Sequence, residues 1–178
     1  MCSLEQLRLD LRELSEGTTT LSLSLGNDFF EALEDAEIKR GSVAVDVSVR
    51  RSSAFFDVRM HMTGSVLVPC DVCLEDMEQP IEAEGQVLAS LGEAGGGSDE
   101  VVVVGEDEGI LDLSWPVYES IALAVPTKHV HEPGQCNPDM ERLLQQHSAS
   151  AQSHEGAEES TIDPRWSELE KLRTTIKD

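Results

Sequence analysis

Positive charge is scarce in this sequence. Of 178 residues, 13 are Lys or Arg against 35 Asp or Glu, a formal net charge of −22 at pH 7. So acidic a chain repels phosphate backbones and anionic lipid as a whole, which excludes wholesale wrapping of nucleic acid and favours a basic protein partner. Aromatic residues are scarce too, at 4%, so a core must be built from Val, Leu, Ile and Ala. No apolar run approaches the ~20 residues that a membrane-spanning helix requires. Met1-Cys2-Ser3-Leu4-Glu5 has neither the positive nor the apolar region of an export signal, so a cytoplasmic, reducing location is expected. The motifs G-x-S-x-G, H-E-x-x-H and the Walker loop are all missing. No small-molecule substrate and no catalytic residue is indicated, and the expectation is a protein that is not an enzyme.

The few cations are unevenly placed. None lies between Arg59 and Lys128, a stretch rich in Asp and Glu, whereas Lys39, Arg40, Arg50, Arg51 and Arg59 have only Asp46 and Asp57 among them. Those five residues are the candidate nucleic-acid-binding island on an otherwise acidic body.

Hydrophobic periodicity gives the fold class. Leu21, Leu23 and Leu25 alternate with polar residues, as do Val43, Val45, Val47 and Val49, the pattern of half-buried strands. Leu7, Leu9 and Leu11 alternate likewise, although Leu4, Leu7, Leu11 and Leu14 would also suit a helix. Asn27 or Asp28 can cap a short helix over residues 29–36. Further strands are expected over 54–62 and 65–68, with a break at Thr63-Gly64, and from Ile81 to Ala89 after a break at Pro80. Val101 to Val104 reads as a buried strand following an acidic, Gly-rich loop. Ser114-Trp115-Pro116 opens a helix with Val117, Ile121, Ala124 and Val125 on one face. The sum is an α+β domain with a mostly antiparallel sheet of six or seven strands. It is expected to span 1–144, followed by a flexible linker over 145–162 and an amphipathic helix over 163–178, with Trp166, Leu169, Leu172 and Ile176 as its stripe.

One constellation carries chemistry. Cys70-Asp71-Val72-Cys73 is a C-x-x-C on a turn between strand signals, and His131 and Cys136 form a second pair nearly sixty residues on. Two such pairs make a Cys3His shell for structural zinc, if the fold brings them together; His129 is a spare ligand. A thioredoxin-like pair would need the C-x-x-C to open a helix beside a βαβ unit, and that context is missing. Pro69-Cys70-Asp71-Val72-Cys73 also imitates half of a zinc deaminase, which needs an upstream H-x-E; here His61 is followed by Met62 and Thr63.

These blocks, taken in order, resemble the bacterial YceD family of large ribosomal RNA subunit accumulation proteins. The resemblance rests on Leu14-Ser15-Glu16-Gly17, Asp28-Phe29-Phe30, Gly64-Ser65-Val66 and Pro69-Cys70-Asp71-Val72-Cys73-Leu74-Glu75. It continues with Ile110-Leu111-Asp112-Leu113, the Glu119–Pro126 block that ends Leu123-Ala124-Val125-Pro126, and Asp163-Pro164-Arg165-Trp166 with Leu169 and Leu172. Members with a cysteine-rich tail carry more thiols after the apolar block than this chain, which has His131 and Cys136. The resemblance implies a non-enzymatic ribosome-biogenesis factor supporting synthesis, processing or stability of large-subunit ribosomal RNA. Two partners follow from the charge: rRNA held through the basic island, or a basic ribosomal protein held by the acidic body. The competing readings are a zinc-stabilised interaction module unrelated to ribosomes and a metal-assisted rRNA-processing enzyme.

Overall fold

A computed structural model of the chain describes residues 3–34, 36–53, 55–92 and 101–148. The expected loop at 93–100, the linker beyond residue 148, the helix over 163–178 and Cys2 lie outside them. The chain divides into two units, Met1–Glu141 and Arg142–Asp178; of the second, the described part is the C-terminal portion of one helix.

A 3-10 turn, Ser3–Leu7, leads into β1 (Arg8–Asp10). Then follow β2 (Gly17–Leu25), α1 (Asn27–Ala32), β3 (Gly41–Arg51), β4 (Phe56–Pro69), β5 (Asp76–Gly92), β6 (Val101–Gly105), β7 (Ile110–Asp112), α2 (Ser114–Ala124) and α3 (Pro138–His147). The sheet order is β2-β3-β4-β5-β6, antiparallel except for the parallel β5–β6 pair, with β1 and β7 forming a separate two-stranded sheet. The α+β, mostly antiparallel expectation is met.

Alternation sorts the large sheet into two faces. Leu23, Val45, Met62 and Ala83 lie in one row across four strands, and Leu21, Val47, Met60 and Gly85 in the next. This face is the core side. Val43, Val45, Val47, Val58, Met60 and Met62 are buried on it beneath Phe29 and Phe30 of α1 and Val117 and Ile121 of α2. Each such side chain contributes roughly 1.5–3 kcal/mol on full burial. The opposite face is polar: Ser22, Asp46, His61 and Glu84 form one row, Thr18, Arg50 and Asp57 another.

Two expected breaks are not breaks. β4 runs through Thr63 and Gly64 without changing phase, because Val58, Met60, Met62, Val66 and Val68 all stay buried. Gly64 is there because β3 passes too close for a side chain: a Cβ would overlap the Ser42 carbonyl oxygen and lie 2.7 Å from the Val43 Cα. β5 likewise runs through Pro80, whose carbonyl accepts from the Gln79 side chain (3.2 Å). In an antiparallel strand a residue's carbonyl and N–H positions point to the same side. The missing N–H therefore faces away from β4, on a side where no strand pairs with this stretch among the described residues.

Gly85 has a related use. A Cβ there would come within 2.7 Å of the Ser120 hydroxyl and 2.8 Å of the Met60 methyl, so its absence lets α2 settle onto β5. Tyr118 then accepts the Glu37 N–H (2.7 Å) and the Ile38 N–H (3.2 Å), tying the segment after α1 to α2. α1 itself is shorter than expected. Leu33 is already extended (ψ 109°), and the chain turns there to lead into β3. α3 was not expected, although Asn137, Pro138 and acidic Asp139 and Glu141 are ordinary start signals; Gln145 to His147, expected to open the linker, belong to its last turn.

Gly64→Ala is expected to destabilise the protein by at least about 2 kcal/mol, measured as a lower midpoint in urea denaturation. An unchanged midpoint would mean that β3 and β4 can separate there at no cost.

Candidate metal centre

The four residues predicted from spacing converge. The ligand atoms of Cys70, Cys73, His131 and Cys136 all lie within 4.8 Å of one another. Cys73 Sγ is 3.3 Å from His131 Nδ1, Cys70 Sγ is 3.8 Å from Cys136 Sγ, and Cys136 Sγ is 3.9 Å from His131 Nδ1. With zinc–sulfur bonds of about 2.3 Å, two sulfurs of a tetrahedral site sit about 3.8 Å apart. The spacing is thus that of ligands around one small ion, and far too long for a disulfide. Cys70 and Cys73 are buried, and His131 and Cys136 are half-buried.

Local chemistry shapes each half. Residues 70–75 are the connection between β4 and β5. The Leu74 N–H donates to the Cys70 carbonyl (2.9 Å), the Cys70 N–H to the Glu75 carbonyl (2.9 Å), and the Val72 N–H reaches Cys70 Sγ (3.4 Å). Closing that turn puts Leu74 in the left-handed region (φ 61°), a conformation a non-glycine residue adopts only under constraint. The second half follows α2, where Gly134 (φ 86°) supports a turn closed by the Gln135 N–H on the Glu132 carbonyl (3.0 Å).

Asp71, Glu75 and Asn137, which spacing did not single out, fasten the halves together with His129. The Asp71 N–H donates to the His129 carbonyl (2.9 Å), and the His129 N–H donates to the Asp71 carboxylate (2.9 Å). Asn137 Nδ2 donates to the Glu75 carboxylate (2.7 Å). His129, held as a spare ligand, has this fastening role instead: its Nδ1 lies 3.1 Å from the Pro126 carbonyl and its Nε2 3.7 Å from Asp71. Each link joins residues about sixty positions apart, and no local pattern marks such a pair.

The thiols do not titrate alike. Burial pushes Cys70 up, but the backbone N–H groups of Cys73, His131 and Val72 outweigh it and bring the thiol down to about 6. Burial, and then hydrogen bonds with Cys70 and Cys73 and their charge, push Cys136 up to about 12. Crowded thiols resist ionising together, and a cation at the centre removes that resistance. With four protein donors around one ion, no open position is left for a reacting water, which suits a structural metal.

The five basic residues fare differently. Lys39 donates to the Leu33 (3.2 Å) and Glu34 (3.4 Å) carbonyls, and Arg40 pairs with Asp76. They precede β3, whereas Arg50 and Arg51 end it, about 33 Å away at strand rise. Arg51 donates to the Leu14 carbonyl and stands 5.5 Å over the Phe56 ring. Arg59 pairs with Asp57 (3.2 Å). Of the five, Arg50 and Arg59 share a face; with Thr18, Ser48 and Asp57 they line a concavity of about 120 Å³. No helix among the described residues is long and apolar enough to cross a membrane.

Fold and site together define a mostly antiparallel α+β domain carrying a partly buried cluster of three thiols and an imidazole. Residues 58–173 match the family described as Large ribosomal RNA subunit accumulation protein YceD, and the chain belongs to that family. The match contains the whole Cys/His quartet and Arg59, and begins after Lys39, Arg40, Arg50, Arg51 and the blocks at Leu14 and Asp28. No curated protein and no solved structure matches the chain. The family's description implies a role in accumulation of the large ribosomal subunit RNA, and names no reaction. It does not favour a module unrelated to ribosomes.

Asp71→Ala keeps all four donors but removes one fastening. It is expected to weaken zinc retention by about tenfold, the lower end of what lost supporting contacts cost a metal site, read by competition with a chromophoric chelator. Retention equal to the parent protein would mean that Asp71 plays no part in positioning the ligands.

Proposed function

We propose that this protein is a non-enzymatic factor that supports large-subunit rRNA by holding a basic ribosomal protein on its acidic body, with a structural zinc ion in the Cys70, Cys73, His131 and Cys136 cluster. The observation that carries the choice of partner is the state of the cations. Of Lys39, Arg40, Arg50, Arg51 and Arg59, four are engaged with carbonyl or carboxylate groups of the chain itself, and Arg50 alone has no side-chain partner among the described residues. A body of charge −22 with its cations so occupied accelerates encounter with a basic protein and opposes encounter with RNA.

A second reading has its own support. Arg50 and Arg59 meet beside the Thr18 and Ser48 hydroxyls, with Asp57 paired to Arg59; a single phosphate would fit there by displacing that carboxylate from Arg59. In that reading the chain touches rRNA at this one point.

Two experiments separate the possibilities. Tagged protein recovered from cell lysate at low salt is expected to bring down a basic ribosomal protein that leaves at high salt; recovery of neutral partners alone would count against the proposal. Arg50→Glu combined with Arg59→Glu is expected to leave that recovery intact, whereas loss of rRNA retention in the double variant would favour the phosphate contact. For the metal, one zinc per chain and a lower melting temperature after chelation are expected, because structural zinc contributes on the order of 10 kcal/mol in zinc-finger peptides. A melting curve insensitive to metal removal would rule out a structural ion.

A further inference from the structure

The most exposed strand of the large sheet is also its least defended. β2 pairs with β3 along nine consecutive residues, Gly17↔Arg51 to Leu25↔Val43, without a bulge. Among the described residues nothing pairs with its other side. An open edge presents a row of unsatisfied N–H and C=O groups, and proteins ordinarily guard it with Lys, Pro, an inward charge or a bulge. The sequence of β2, Gly-Thr-Thr-Thr-Leu-Ser-Leu-Ser-Leu, has none of these. The core side of the edge is incompletely covered as well: Leu21 is 37% exposed and Leu23 half-buried, while Val47 and Val45, their row neighbours on β3, are buried.

We propose that the β2 edge is a docking strand, which takes up an extended basic segment of a partner protein as a sixth strand of the sheet. The inference deepens the reading of the partner as a basic protein, and rests on it. Main-chain bonds to an open edge supply affinity in this mode, and alternate side chains supply selectivity. Apolar residues of the added strand would extend the rows of Leu21 and Leu23. Its basic residues would point to the polar face, where Asp46, His61 and Glu84 continue the row of Ser22 over a concavity of about 800 Å³, whose one lining cation, Arg59, is paired with Asp57. Asp46 is two strand spacings from the added strand, about 10 Å, within reach of a Lys or Arg stem. Asp28 and Glu31 stand just past the Leu25 end. Arg50 lies opposite Thr18, so the cations of the segment belong over the half from Thr20 to Leu25. Charge also selects against a second copy of this chain, since pairing two β2 edges would join two bodies of −22.

The probe is a synthetic peptide of alternating Lys and Val, added to the full chain at about 0.15 M salt. Two further forms carry backbone N-methyl groups on the Lys amides or on the Val amides. A strand turns alternate N–H groups toward its neighbour, so one methylated form is expected to bind at least about tenfold more weakly and the other to bind like the parent peptide. Slowed amide exchange on binding is expected in β2. Because the protein is unaltered, misfolding cannot mimic the result. Equal binding of both methylated forms would show attraction by charge alone and overturn the proposal. So would no binding, or slowed exchange outside β2. Protection of the β2 outer amides before peptide is added would overturn it too. Protection that rises with protein concentration would assign the edge to a second copy, and protection independent of concentration to another part of the same chain. Recovery of a basic ribosomal protein from lysate together with a failed peptide experiment would sink the docking strand and leave the function standing. Failure of both would remove the basic partner itself.

Discussion

The antiparallel ladder between β4 and β5 sets the positions of everything else. It pairs fourteen residues of β4 without interruption, from Phe56↔Ala89 to Pro69↔Asp76. Its register fixes which side of the sheet is apolar, and a slip of one residue would move Val58, Met60 and Met62 to the polar face. It also decides where the C-x-x-C stands. Cys70 and Cys73 belong to the short connection at the end of this hairpin, so their placement inherits the precision of a long strand pair. α2 then lies on the core side of β5, where Gly85 leaves it room, and delivers the chain to His129 and the second pair of ligands. The site is built from one hairpin end and one helix exit, and both are held by the same sheet.

Electrostatics divide the molecule differently from packing. The polar side of the sheet has Arg50 and Arg59 at one end and Asp46, Glu84 and Glu82 further along it. Lys39, Arg40 and Arg51 are spent internally, on carbonyls of the loops or on the Asp76 carboxylate, and Arg59 itself is paired with Asp57. Exposed pairs of this kind contribute little to stability. Their larger effect is to remove positive charge from the surface that a partner meets. The net field is therefore more uniformly negative than the residue count near Arg50 suggests.

The sequence made much of this legible, for reasons that differ by residue. The strand phases of β2 and β3 could be read directly, since Leu21, Leu23 and Leu25 and the four valines of β3 alternate strictly and bury one face. The four clustered residues could be named because C-x-x-C and H-x4-C each carry a ligand geometry. Gly64 and Pro80 misled because they are punctuation in isolation. Gly64 answers a close approach by another strand, and Pro80 uses an unpaired side, and neither circumstance is local. The same limit hid Asp71, Asn137 and Tyr118, and the fastening role of His129, since their partners lie far away along the chain. Lys39 and Arg40 stand apart from Arg50, Arg51 and Arg59 because proximity in sequence along an extended strand means about 3.3 Å per residue in space.

The separation of the two ligand pairs has a consequence for the order of assembly. Cys70 and Cys73 are in place once a local hairpin has closed. His131 and Cys136 join them only after β6, β7 and α2 have been laid down and α2 has seated on β5. A half-folded chain therefore offers a two-sulfur fragment, and only the finished domain offers four donors. An ion that needs all four would therefore stabilise the finished domain and not the isolated hairpin.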